Sequence, residues 1–292
     1  MKLSLGPILY YWHRATIEAF YETMRATPVD IIYLGETVCS KRHEMRGGDW
    51  VALARSLAQA GKEVVLSSLT LIESNADLAS VRKLCDNDGL RVEANDMAAV
   101  NLLAERGLAF TCGPAINIYN QHTLRLLAKQ GMQRWVLPVE LGRNTLADIL
   151  TATGDLAVET EVFAYGKLPL AYSARCYTAR ALGLPKDDCR YACIDYPDGL
   201  LLATQESQQL FTINGIQTQS AATCNLLGSW QAMRDMGVNA LRISPQHAGT
   251  EKIVRQFADA IAADSQPLVL LDADNCNGYW YGEAGMVAVQ ST

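Results

Sequence analysis

Val29-Asp30-Ile31-Ile32-Tyr33-Leu34-Gly35 is an apolar run that stops at a glycine, and the chain after it repeats one plan. Residues 29–34 read as a strand, 50–60 as a helix closed by Gly61, and 63–69 as the next strand. Strand, helix and strand at this spacing make a βα unit of a parallel sheet. Outward from it the alternation continues, with strand-like runs at 2–9, 29–34, 63–69, 90–94, 108–112, 134–138, 157–163 and 239–243. Helical patterns fall between them at 16–26, 50–60, 77–85, 96–106, 121–130, 145–151 and 222–236, several closed by a glycine such as Gly107, Gly131 or Gly237, the residue that helix ends favour. Eight strands in this order close most economically as an α/β, TIM-like (β/α)8 barrel. An open doubly wound sheet fits less well, because no strand runs into a G-x-G-x-x-G loop. Residues 164–220 break the alternation. They read as a cysteine-bearing excursion after the seventh strand, inside a single barrel-like domain over 1–292, and at that point a long excursion lies over the C-terminal mouth of a barrel.

Four of the eight cysteines stand out. Cys176, Cys189 and Cys193 lie in the excursion among Gly183, Pro185 and Gly199, a poor core segment, while Cys39 follows the strand-like run that ends at Gly35. Four thiolates are the ligand set of an iron-sulfur cluster or a structural zinc, and a shared barrel mouth lets these four converge. There is no C-x-x-C pair, which weakens the common zinc patterns and a thioredoxin-like site. The spacing of Cys189 and Cys193 can put both sulfurs on one face of a helical turn without choosing the metal. Cys85, Cys112 and Cys224 read as small core hydrophobes. Cys276 sits in the polar stretch 272–280 and is a reserve ligand or substrate-side residue.

Arg175, Arg180 and Arg190 flank the thiols and can offset their charge, while Lys41-Arg42-His43 reads as a solvated loop. Glu36 and Glu140 follow strand ends and so face the mouth, as acid-base or binding groups or as ion-pair partners of nearby arginines. Tyr33, Asn117, Tyr119, Asn120 and Trp135 read either as the lining of an aromatic-substrate pocket or as barrel filling. No H-E-x-x-H or G-x-S-x-G motif is present, and no catalytic residue is assigned. With 31 acidic against 25 basic residues the formal charge is -6, which offers no general attraction to nucleic acid. The start lacks a secretory h-region and no stretch is long enough to span a bilayer, so the expectation is a cytoplasmic chain with reduced thiols.

Ile32-Tyr33-Leu34-Gly35, Ala115-Ile116-Asn117-Ile118-Tyr119-Asn120, Val136-Leu137-Pro138-Val139-Glu140-Leu141 and the group from Arg175-Cys176 to Cys193 together resemble the collagenase-like peptidase family, number thirty-two of the unclassified peptidases. The resemblance runs from Ser4-Leu5-Gly6-Pro7 to Asn275-Cys276-Asn277-Gly278-Tyr279-Trp280, with the cysteine pattern its most specific part. It implies a 4Fe-4S cluster held by Cys39, Cys176, Cys189 and Cys193. It also implies a heterodimer with UbiU, work beside the lipid-binding protein UbiT, and oxygen-independent ring hydroxylation of a ubiquinone precursor. Composition and spacing by themselves reach only a metal-bearing α/β barrel.

Overall fold

The computed structural model describes residues 1–87, 89–265, 267 and 274–290, without the side chain of residue 186. Seven strands follow one another with a helix after each of the first six: β1 (Lys2–Leu5), α1 (Arg14–Arg25), β2 (Ile31–Leu34), α2 (Gly47–Gln59), β3 (Glu63–Ser67), α3 (Asn75–Cys85), β4 (Arg91–Ala94), α4 (Met97–Glu105), β5 (Phe110–Cys112), α5 (Gln121–Lys129), β6 (Met132–Val136), α6 (Arg143–Ala152) and β7 (Glu159–Tyr172). The chain then makes a short helix α7 (Tyr177–Ala181) and three strands, β8 (Leu200–Ala203), β9 (Gln209–Asn214) and β10 (Gln217–Asn225). It returns through α8 (Trp230–Asp235), β11 (Ala240–Ile243) and α9 (Thr250–Ala262), and ends with β12 (Asn275–Cys276) and α10 (Gly278–Tyr281).

Strands β1 to β7 pair in parallel, each with the next, and β11 pairs in parallel with both β7 and β1. The sheet is thus a closed (β/α)8 barrel, as the alternation predicts. Strands β1 to β6 and β11 bury nearly every residue because helices cover one face and the barrel interior the other. Helix α1 shows the local logic: Ile17, Tyr21 and Met24 are buried at helical spacing, one stripe toward the sheet. Gly35 ends β2 at φ 137°, where a Cβ would stand 2.5 Å from the Ser67 carbonyl oxygen. Only glycine lets the chain turn outward there.

Three expectations are corrected. The first strand is shorter than 2–9, ending at Leu5, because Pro7 lies in a stretch that lines the mouth and has no N–H to give a ladder. The helix expected at 222–236 begins only at Trp230; residues 222–225 belong to β10, paired on one side with β7 and on the other with β12. The eighth barrel helix, α9, lies beyond the expected set and buries Val254, Phe257 and Ala260.

Inside the barrel runs a ladder of buried charge. Arg242 reaches Glu161 Oε1 at 2.6 Å and Glu93 Oε1 at 2.7 Å, and its guanidinium lies 4.0 Å from the Tyr33 ring centre. Glu161 also accepts from Ser4 Oγ at 2.7 Å and Tyr33 Oη at 2.6 Å. Lower down, Arg134 meets Tyr33 Oη at 3.2 Å and Glu63 at 2.7 Å. Burial alone would push the Glu161 carboxyl up, but Arg242 and Arg134 outweigh it and hold the group below its ordinary value. Buried charges persist only when paired and hydrogen-bonded in this way.

Candidate functional site

β7 is long because it serves two sheets. Its first half closes the barrel; its second half pairs antiparallel with β10, which pairs with β9, and β9 with β8. This ribbon carries the excursion across the mouth, and α7 docks on its β9–β10 turn through Tyr177 N–H to Gly215 O at 2.8 Å and Gly215 N–H to Thr178 Oγ1 at 2.9 Å.

Cys39 comes from the loop after β2, and Cys176 from the start of α7, where its sulfur accepts from Ala179 N–H at 3.4 Å. Both pack against one small apolar patch of Leu9, Val38 and Ile216. Cys193 is close enough to raise the Cys39 thiol and to be raised by Cys176. Cys189 stands on the outer side, within reach of Lys41, which pairs with Asp187 at 3.0 Å. Between Cys189 and Cys193 the backbone is not a continuous helical turn as the spacing suggests: Arg190 and Tyr191 take φ of 50° and 54°, a sparsely populated conformation for side-chain-bearing residues. All four cysteines are half-buried free thiols. Among the described residues, no three His, Cys, Asp or Glu side chains form a group positioned to hold a metal ion.

The cation beside the thiols is Arg42, which the sequence reading assigns to a solvated loop. It is 4% exposed. Its guanidinium donates to Leu9 O and Asn214 Oδ1, each at 2.7 Å, to the Cys193 sulfur, and lies 3.6 Å from Glu36. Its Nε has no hydrogen-bond partner. Burial pushes the Cys39 thiol up to about 11, with Arg42 pulling the other way. Glu36 spends its oxygen on the N–H groups of Val38 and Cys39, at 2.9 and 3.0 Å, and burial raises its carboxyl despite Arg42. The ion-pair reading of Glu36 therefore describes its contacts. Of the arginines expected to flank the thiols, Arg190 lies 3.8 Å from Asp188 at the surface. In donor chemistry the set suits an anionic thiolate-bound metal cluster: four thiols, a buried cation and an unpartnered N–H. Arg42, Lys41 and Cys176 also tie the β2 loop to the excursion.

Beside this site the barrel mouth opens into a pocket of about 400 Å³, including space open to solvent. Its walls are Pro7, Leu9, Pro114, Phe163, Pro169 and Tyr172, and its polar lining is Thr37, Thr70, Glu93, Asn95, Arg242 and Ser244. Thr37 Oγ1, Ser244 Oγ and Arg242 Nη2 are buried without hydrogen-bond partners; in a native fold such groups call for a ligand or water. Leu9 and Tyr172 belong both to this wall and to the packing under Cys39 and Cys176, so one layer of side chains separates thiols and pocket. The pocket continues, through Thr70, Pro114, Pro169 and Tyr172, into an outer cleft of about 800 Å³ that includes Asn117, Tyr119 and Glu140. Glu140 accepts from Tyr119 Oη at 3.2 Å. The other pocket candidates lie elsewhere: Tyr33 and Trp135 are fully buried, and Asn120 caps α5 by accepting from His122 and Thr123 N–H. Arg242 was legible as a lone charge inside the apolar run 239–243; Arg42 and Thr37 gave no such signal.

The remaining cysteines are all buried. Cys85 and Cys112 fill the core as expected. Cys276 is fully buried too, and faces Cys224 across the β10–β12 ladder. Its register partner is thus a core thiol, and among the described residues none of its contacts is with Cys39, Cys176, Cys189 or Cys193. Residues 272 and 273 of its stretch lie outside the described residues.

Fold and site define a (β/α)8 barrel whose mouth is crossed by a thiol-bearing antiparallel ribbon. Residues 16–272 match the sequence family described as Peptidase family U32, and the chain belongs to that family. Among solved structures, the U32 peptidase Mk0906 is similar with a TM-score of 0.47 at 12% identity, over 85% of this chain and 94% of that one. A Thermotoga maritima phospho-2-dehydro-3-deoxyheptonate aldolase gives 0.47 at 10%, over 91% and 71%. Yersinia pestis DHPS gives 0.44 at 11%, over 90% and 93%. Among the described residues no helix is long and apolar enough to cross a membrane.

Proposed function

We propose that Cys39, Cys176, Cys189 and Cys193 hold a 4Fe-4S cluster, and that the chain is a UbiV-like subunit working with UbiU in oxygen-independent hydroxylation of a ubiquinone precursor, beside the lipid-binding UbiT. The observation that carries this reading is Arg42: a buried guanidinium among Cys39, Cys193 and Glu36 with an N–H left over, one side-chain layer from a pocket with unpartnered polar groups. A cluster bound there supplies one-electron chemistry, at a potential set by sulfur hydrogen bonds and burial. The chain's own residues do the rest. Arg42 offsets thiolate charge, and Ala179 N–H donates to the Cys176 sulfur. The outer cleft has the room for a ring, and Thr37, Ser244 and Arg242 at the narrow inner pocket would meet its polar substituents.

The test is an iron and sulfide count on anaerobically purified protein, alone and with UbiU. Single alanine replacements of the four cysteines should remove most of the iron, and Cys85→Ala and Cys112→Ala should keep it. A full iron content in Cys39→Ala would sink the ligand assignment. In a strain lacking the chain, ubiquinone made without oxygen should fall while ubiquinone made in air persists; equal loss in both would remove the hydroxylation reading.

A second reading has its own observation. Contacts between Lys41 and Asp187, Arg42 and Asn214, and the patch under Cys39 and Cys176 fasten the ribbon to the β2 loop, as expected of a noncatalytic scaffold or an electron relay whose metal, iron-sulfur or zinc, fixes the excursion. That reading predicts metal loss with a loosened ribbon, read by hydrogen exchange at β8–β10, and no loss of quinone. Peptide hydrolysis, which the family's name suggests, is tested directly with a fluorogenic collagen-like peptide.

A further inference from the structure

The parallel ladder between β10 and β12 has only two register pairs, Thr223 with Asn275 and Cys224 with Cys276. Paired residues on parallel strands point to the same face, with strands about 4.8 Å apart, inside the Cα separation that a disulfide spans. Both thiols are free, Cys224 4% and Cys276 0% exposed, and the Cys276 sulfur lies 3.9 Å from Ala222 O. Two cysteines placed in register on a two-pair ladder are not required by packing, which one thiol and one alanine would satisfy as well.

We propose that Cys224 and Cys276 are a redox-active dithiol, oxidised by a hydroperoxide to a disulfide that locks the C-terminal segment onto β10. The Cys276 thiolate attacks the peroxide oxygen, forming a sulfenic acid and releasing hydroxide. The Cys224 thiol then displaces that hydroxyl as water, closing the S–S bond. In sum, two thiols and one hydrogen peroxide give one disulfide and two waters. The register that sets the two thiols side by side supports this division of labour, and the neighbouring thiol holds Cys224 above and Cys276 below the ordinary thiol value. The nearest opening is a narrow cavity with room for about one water-sized molecule, roughly 20 Å³, with Cys224 on its wall and Leu137, Val139, Tyr279 and Trp280 around it.

The lock sits where it matters to the mouth. Tyr279 and Trp280 of α10 roof that cavity, and Pro138 and Val139 line both it and the outer cleft. A disulfide two residues before α10 therefore fixes one wall of the cleft. The inference does not depend on the cluster at the other four cysteines.

The experiment treats anaerobically purified full-length protein with equimolar hydrogen peroxide, blocks free thiols with iodoacetamide in denaturant, and maps peptides by mass. Chymotrypsin is used because Cys193 and Cys224 share one tryptic peptide, whereas Phe211 lies between them. The expected result is a Cys224–Cys276 cross-linked peptide, lost after dithiothreitol and absent from Cys276→Ser, with Cys85 and Cys112 still fully alkylated. The thermal midpoint of the wild type should rise by several degrees on oxidation. Recovery of Cys224 and Cys276 fully alkylated after peroxide, or of Cys276 as sulfinic acid with no cross-link, overturns the proposal. If Cys276→Ser does not fold, the cross-link in the wild type decides alone.

Discussion

Two buried arginines sit within a few residues of the barrel mouth and are treated differently. Arg242 faces two carboxylates, Glu161 and Glu93, at 2.6 and 2.7 Å, with Tyr33 beneath it. Arg42 has one carboxylate, Glu36, at 3.6 Å, whose charge burial disfavours, and otherwise carbonyl and amide oxygens and the Cys193 sulfur. A buried cation needs compensation. The barrel interior supplies it from its own strands, whereas Arg42 has only one distant carboxylate. On the proposed reading, thiolates of the neighbouring cysteines would supply the rest.

That contrast can be broken first at Glu161. Replacing it by alanine leaves Arg242 with Glu93 alone and takes the carboxylate between Arg242, Arg134 and Tyr33 out of the interior, and should cost roughly 3–5 kcal/mol in urea unfolding. A cost under about 1 kcal/mol would mean that the barrel does not depend on its internal pairing. Next comes Gly35, which lies between the two sites. Gly35→Ala forces a Cβ against Ser67 O at positive φ and should cost about 2–3 kcal/mol. It should also lower iron retention, by displacing Glu36. Arg42→Met loses two hydrogen bonds from a charged group, about 1.5–3 kcal/mol each, partly offset because the buried cation goes with them, and should also remove most of the iron. Iron kept at the wild-type level would make Arg42 a clamp for Leu9 and Asn214 only.

The smallest effect is the pH profile. Glu161 is depressed in the fold, so its contribution is fully present above the unfolded carboxyl value of about 4.3. It fades as pH falls through the lower folded value. Urea midpoints between pH 3 and 6 should therefore drop on the acid side in the wild type, and Glu161→Gln should flatten part of that drop. An unchanged slope in Glu161→Gln would assign the acid sensitivity to other carboxylates such as Glu63, which is also held low, Arg134 and Lys2 outweighing its burial.

The period of the chain by itself determined the barrel, because strand and helix periodicity and the break at Gly35 are local properties of a few adjacent residues. It also placed Cys39 after β2 and the other three candidate thiols in the excursion after β7, since loop position follows from element order. The stripe of Val254, Phe257 and Ala260 in α9 is equally local, although the sequence reading does not include that helix. What only the tertiary structure decided are relations between distant residues. Residues 222–225 look helical alone and become a strand because β7 and β12 pair with them on both sides. Arg42 looks solvated in Lys41-Arg42-His43 and is buried because Asn214 and Leu9, from the ribbon and the first loop, close over it. Cys224 and Cys276 become partners only through strand register. Burial and pairing are set by what folds against a segment, and no window of adjacent residues contains that information.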